Sequence, residues 1–173
     1  MQHLLIPTDF SIKSLNVIHA IATKFAGEKV RISLFHLLQP ENDITQLFRS
    51  RRSRHMDMVS QEFYEACQIL QNRYGSVINR INIEFGFGTT AAYIANLMEG
   101  LKVDAVILST ATACTYNNRQ SIDPVPLFKK AKIKIEMVQA GNAPAFKSER
   151  SLLNTLSVKE LMIPKEEDYV VTK

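Results

Sequence analysis

His3-Leu4-Leu5-Ile6-Pro7-Thr8-Asp9-Phe10-Ser11 is the stretch that decides the fold. His3 to Ile6 is a short apolar run stopped by a proline, the pattern of a buried strand. Thr8, Asp9 and Ser11 are turn and helix-capping residues. Leu15, Ile18, Ala22 and Phe25 follow at spacings of three, four and three, which is one face of a helix, and Gly27 closes it. A strand, a tight turn and a helix in direct succession form the first half of a βαβ unit.

The rest of the chain repeats that alternation. Residues 30–38 hold Val30, Ile32, Leu34, Phe35, Leu37 and Leu38, a second buried strand ended by Pro40. Val59, Phe63, Ala66 and Leu70 mark a second helix that ends near Gly75. Ile81, Ile83, Phe85 and Phe87 alternate with Asn82, Glu84 and Gly86, a strand with one wet face. Ala91, Ile94, Met98 and Leu101 mark a third helix, with Gly100 as its stop. Residues 103–108 are a fourth strand. A polar loop over 109–123 leads to a short helix around 125–131. Ile133, Ile135 and Met137 alternate with Lys134 and Glu136 in a fifth strand.

Strands alternating with helices predict an α/β fold, a doubly wound five-stranded parallel sheet with helices on both faces and right-handed crossovers. Strands one, two and four are apolar on both faces and belong in the middle. Strands three and five have a wet face and belong at the edges. The order 3-2-1-4-5 satisfies both conditions. It reverses between strands one and four, so a ligand crevice is expected at their carboxyl ends, beside Thr8, Asp9 and residues 109–112. This α/β domain spans 1–139. Residues 140–173 read as a C-terminal extension: a linker around Gly141 and Pro144, a short helix using Leu152, Leu153 and Leu156, and a terminal segment.

Composition bounds the function. The chain has 173 residues, 46% of them hydrophobic and 22% charged, with a net charge of +4. That is an ordinary soluble composition, compatible with an anionic partner without demanding one. There is no run of eighteen apolar residues and no signal-peptide pattern, so no membrane partner and a cytoplasmic location are expected. Cys67 and Cys114 fit no metal spacing and read as reduced structural thiols. His3, His19, His36 and His55 are scattered without ligand spacing. His36, at the end of a buried strand, reads as a satisfied rim histidine. Gly86-Phe87-Gly88-Thr89-Thr90 lacks the lysine of a P-loop and reads as a strand-to-helix turn with a threonine cap. Arg49, Arg51, Arg52 and Arg54 lie in the loop after the second strand, with no interleaved aromatics, so nucleic acid is not an expected partner. No hydrolase, zinc-protease or kinase signature is present.

Pro7-Thr8-Asp9-Phe10-Ser11, with Leu34-Phe35-His36-Leu37 and Val103-Asp104-Ala105-Val106-Ile107-Leu108, resembles the universal stress proteins. The resemblance implies a doubly wound fold and a homodimer, here through the edge of the fifth strand with its alternating Lys132, Lys134 and Glu136. Some members of that family bind ATP or AMP. In those, the motif aspartate and the apolar residue after the histidine contact adenosine, which implies Asp9 and Leu37 here. Binding members also carry a Gly-x-x-Gly, nine residues and a Gly-Ser after strand four, whose amides cradle phosphate. Residues 109–122 here read STATACTYNNRQSI, without a glycine. A Cβ at each such position blocks close approach of the backbone.

The expectation is therefore a non-catalytic regulatory or stress-response homodimer that lacks the ATP-binding glycine loop. The alternative is an AMP or ATP sensor with a rebuilt phosphate site, using Asp9, Leu37, Thr112 and Ser121, with Arg51 and Arg52 replacing the cradle. A protein partner docked on the C-terminal tail is a third expectation.

Overall fold

The computed structural model describes residues 1–40, 57–110 and 113–139. Arg49, Arg51, Arg52, Arg54, His55 and Thr112, and the extension 140–173, lie outside the described residues.

β1 (Gln2–Pro7) is followed by a 3-10 turn (Ile12–Asn16) and α1 (Val17–Lys24), then by β2 (Val30–Leu38). α2 (Gln61–Arg73) and β3 (Ile78–Phe87) come next, then α3 (Ala91–Leu101) and β4 (Ala105–Ser109). The chain continues through a two-residue β5 (Ser121–Ile122), α4 (Val125–Lys130) and β6 (Ile135–Val138). The parallel sheet runs β3-β2-β1-β4-β6, the expected order with β6 in the place of the fifth strand. β5 is an addition: it pairs antiparallel with β2, Leu37 opposite Ile122 and Leu38 opposite Ser121.

Alternation along the strands builds two cores. Leu4, Ile6, Ile32, Leu34 and Ile107 face α1 and α2, and pack on Ile18, Ile21, Phe63 and Leu70. Leu5, Phe35, Leu37 and Val106 face the other way, against Ile94 and Met98 of α3 and Phe128 of α4. β1 and β2 are buried almost throughout, whereas β3 is only half-buried over most of its length. At the far end of the sheet, His3 is buried with Nε2 at 2.8 Å from the Ser33 hydroxyl and Nδ1 at 2.9 Å from the Leu101 carbonyl, a structural role.

Helix ends follow local chemistry. Ser60 and Thr90 cap α2 and α3 by accepting from the amides of Phe63 and Tyr93. Gly100 does not stop α3. The helix runs through it to Leu101, and Lys102 takes the left-handed conformation (φ 54°) at its end. Lysine pays a steric cost there that glycine would not. No helix among the described residues is long and apolar enough to cross a membrane.

Gly86 is required by packing. A Cβ there would stand 2.6 Å from Cζ of Phe35, which is itself fully buried. Gly86→Ala is expected to lower stability by roughly 1–3 kcal/mol through overpacking, measured as a shift of the urea midpoint at unchanged slope. An unshifted midpoint would mean that Phe35 has room to move.

Candidate functional site

The crevice lies where the sheet order reverses, at the carboxyl ends of β1 and β4. β1 stops at Pro7, which pairs with Phe35, so β2 runs beyond it. The turn after β1 is fixed by its own side chains. Thr8 Oγ1 accepts from the Phe10 amide at 3.0 Å, and Asp9 Oδ1 accepts from the Ser11 amide at 2.9 Å. Phe10 is thereby held at φ 60°. Its ring stacks on His36 (centroids 4.7 Å apart, 26° between planes) and meets Phe63 edge-on. Ser11, not Asp9, caps the following turn, accepting from the Ser14 amide at 3.3 Å. Asp9 is not the cap; its carboxylate is an acceptor.

The acceptor serves the chain itself. Asp9 Oδ2 accepts from the Thr115 amide at 2.8 Å. Burial pushes the Asp9 carboxyl up, but its hydrogen bonds from Ser11 and Thr115 outweigh that and hold it below the ordinary value. His36 is buried and bonded at both nitrogens: Nδ1 donates to the Thr8 carbonyl at 2.7 Å, and Nε2 lies 2.8 Å from the Ser121 hydroxyl. A carbonyl only accepts, so the proton sits on Nδ1 and Ser121 donates to Nε2. The expected rim role of His36 therefore holds. Burial lowers its pKa, against opposing contributions from the Thr8 carbonyl and Asp9.

Leu37 is likewise engaged. The Phe35 carbonyl accepts from Thr8 N, and Gln39 N donates to the Gln120 carbonyl at 2.8 Å. Odd-numbered residues of β2 thus point their backbone groups toward the crevice. Leu37, between them, faces Ile122 of β5. Ser121 lies on this strand rather than at a helix start. α4 begins at Val125, whose amide donates to Asp123 Oδ1 at 3.0 Å.

The segment 113–123 therefore crosses the crevice and divides it. On one side is an open cleft bordered by Asp9, Ser11, Lys13, Met58 and Asn118. On the other is a cavity of about 240 Å³ between β1, β4 and the start of α4, with Cys114 and Tyr116 in its wall. Burial pushes the Cys114 thiol up to about 11, helped by the Asp9 charge, so it is not a thiolate at neutral pH. The described residues hold no cluster of three or more His, Cys, Asp or Glu placed to bind a metal.

The structure brings together Asp9, Leu37 and Ser121 of the predicted set. Reading the sequence missed Thr115, Tyr116, Ile122 and Asp123. Thr115 acts through its amide, which no side-chain pattern reveals. Asp123 was findable, because Asp before Pro is a turn and helix-start signal.

The fold is similar to that of solved structures. The hypothetical protein MJ0577 is 16% identical over 82% of this chain and 98% of its own, with a TM-score of 0.50. Universal stress protein UspA from Lactobacillus plantarum is 13% identical over 80% of this chain and 97% of its own, also with a TM-score of 0.50. No family model and no curated protein matches the sequence.

The neutral, buried state of His36 carries a pH dependence. Its folded pKa lies below its ordinary value of 6.5, so the unfolded chain binds the extra proton first. Stability should be fully present above about pH 6.5 and fall as the pH drops through and below it. His19, lowered by burial and by Arg73, adds to the same slope. Thermal melts at pH 7.5 and 5.5 should show a smaller acid loss in His36→Gln than in the parent. Equal losses would remove His36 from the account.

Proposed function

We propose that this chain, which carries the fold seen in universal stress proteins, is a non-catalytic regulatory member of that group whose crevice is filled by its own backbone. The observation that carries the reading is the segment 113–123. In nucleotide-binding members, the resemblance puts adenosine against the motif aspartate and the residue after the histidine, and phosphate at the start of the last helix. Here each of those places has an internal partner. Asp9 accepts from Thr115, Leu37 faces Ile122, and the first amide of α4 donates to Asp123. A nucleotide would have to displace all three sets of contacts, and it would meet the carboxylate of Asp123 where its phosphate should go.

The chemistry of the groups supports a non-catalytic role. Asp9, His36 and Ser121 are tied to one another's neighbourhood by intramolecular hydrogen bonds, and Cys114 keeps its proton. None is poised to attack or to transfer a proton at neutral pH. The free thiols Cys67 and Cys114, the first pushed up to about 12 by burial, agree with a reducing cytoplasmic setting.

Isothermal calorimetry of the full chain against ATP and AMP, after mass spectrometry has shown what co-purifies, is expected to give no binding heat. Micromolar binding, about −8 kcal/mol, would instead establish the sensor reading, with Arg51 and Arg52 as the first residues to mutate.

The homodimer part of the proposal rests on β6. It is one end of the sheet, and its Met137 is 57% exposed, unusual for a large apolar side chain among the described residues. Beside it Glu136 bonds both Lys24 and Lys134, which offsets part of the positive charge along the edge. Pairing of two β6 edges would cover Met137 and complete the ladder. Light scattering is expected to give twice the chain mass for the parent and a mass near one chain for Met137→Lys. A dimer that survives the substitution would place the interface elsewhere.

A further inference from the structure

The inner cavity is chemically unlike a nucleotide site. Ile6, Val17, Ile107, Leu108, Val125 and Met137 give it an apolar lining. Its polar groups are engaged within the chain, with one exception. The Ser14 hydroxyl donates to the Ser11 carbonyl at 2.7 Å and lies 2.9 Å from Thr8 Oγ1. The Cys114 thiol is turned to the Pro7 carbonyl at 3.5 Å, and Asp123 Oδ1 accepts from Val125. The exception is Tyr116, whose Oη is buried and has no hydrogen-bond partner. The neighbouring Cys114 thiol interacts with the phenol and raises its pKa, while its own hydrogen is turned to the Pro7 carbonyl. Burial first, then Cys114, Asp123 and Asp9, raise the Tyr116 pKa, so the hydroxyl keeps its proton and is a donor at neutral pH.

A buried phenol without a partner is uncommon, because the cost of desolvating it is uncompensated. An apolar cavity with a few convergent polar groups is the usual form of a small-molecule site. We propose that this cavity binds a compact, uncharged, largely apolar molecule that presents one acceptor oxygen, of the ketone, ester or ether class, to the Tyr116 hydroxyl. The carboxylate of Asp123 in the wall selects against anions. The inference rests on the reading that the chain fills its own nucleotide places, since a bound phosphate would compete for the ground beside Val125.

The test uses the full chain and three probes of one size: acetophenone, ethylbenzene and benzoate. NMR titration is expected to show saturable shifts for acetophenone at residues of the cavity wall. Ethylbenzene, lacking the acceptor, should bind about tenfold more weakly, and benzoate should not bind. Tyr116→Phe should reduce acetophenone to the level of ethylbenzene and leave ethylbenzene unchanged. Val125→Phe, which fills the cavity, should remove both while the protein still melts cooperatively. Equal acetophenone affinity in Tyr116→Phe, or preference for benzoate, overturns the proposal. Silence from both neutral probes overturns it while leaving the self-filled reading intact. ATP that binds and displaces acetophenone overturns both.

Discussion

β2 is longer than the strand beside it, and much of the structure follows from that mismatch. Pro7 pairs with Phe35, and there β1 ends. The backbone groups of Leu37 point into the crevice at a place where Leu37 is fully buried. Buried backbone groups must be paired. The partner is β5, and its register commits the residues around it. With Ile122 opposite Leu37, Ser121 comes within reach of His36 and Gln120 within reach of Gln39. Residues 113–120 then pass the end of β1, where Thr115 meets Asp9 and Tyr116 lies against His36.

The turn after β1 is the other half of that arrangement. A phenylalanine in the left-handed region costs about 1–2 kcal/mol. The bonds from Thr8 and Asp9 to the turn amides each contribute about 1 kcal/mol in return, and the conformation turns the Phe10 ring onto His36. His36 is thus covered by Phe10, approached by Tyr116 and bonded at both nitrogens. The histidine holds turn and segment 113–123 to β2. Its chemistry is that of a fixed neutral imidazole joining a carbonyl to a hydroxyl.

How much of this the sequence discloses depends on how local each determinant is. The strand order was legible because β1, β2 and β4 are apolar on both faces while the edge strands are not. The helix start at Thr90 was legible because a cap is a one-residue signal followed by its helix, whereas the Ser60 cap was not read. The end of α3 was not. Gly100 is the expected stop, but the left-handed residue is Lys102, and its position is set by the bonds that its amide and that of Val103 make to Glu99 and Met98. β5 left almost no trace. It is two residues in a polar loop, and it exists because of a vacancy on β2 more than eighty positions earlier. The site residues divide in the same way. Asp9, Leu37 and Ser121 were picked from their place in a motif, and they do converge. What each one touches is settled by amides of residues whose side chains carry no relevant signal.

The absence of glycine from 109–122 and the internal contacts of 113–123 belong to one physical argument. A loop whose residues all carry Cβ atoms cannot bring successive amides close to a phosphate. The groups that a nucleotide would otherwise satisfy do not vanish with the glycines. The Asp9 carboxylate is half-buried, the end of β2 is buried and the first amide of α4 has no helical carbonyl to bond, and each finds a partner within the chain. A segment able to supply an amide, a strand and a carboxylate in order meets those needs without a ligand, and Thr115, Ile122 and Asp123 do so in chain order. Tyr116 lies within that segment, between the amide donor and the strand, and its hydroxyl is the group that this internal exchange leaves without a partner.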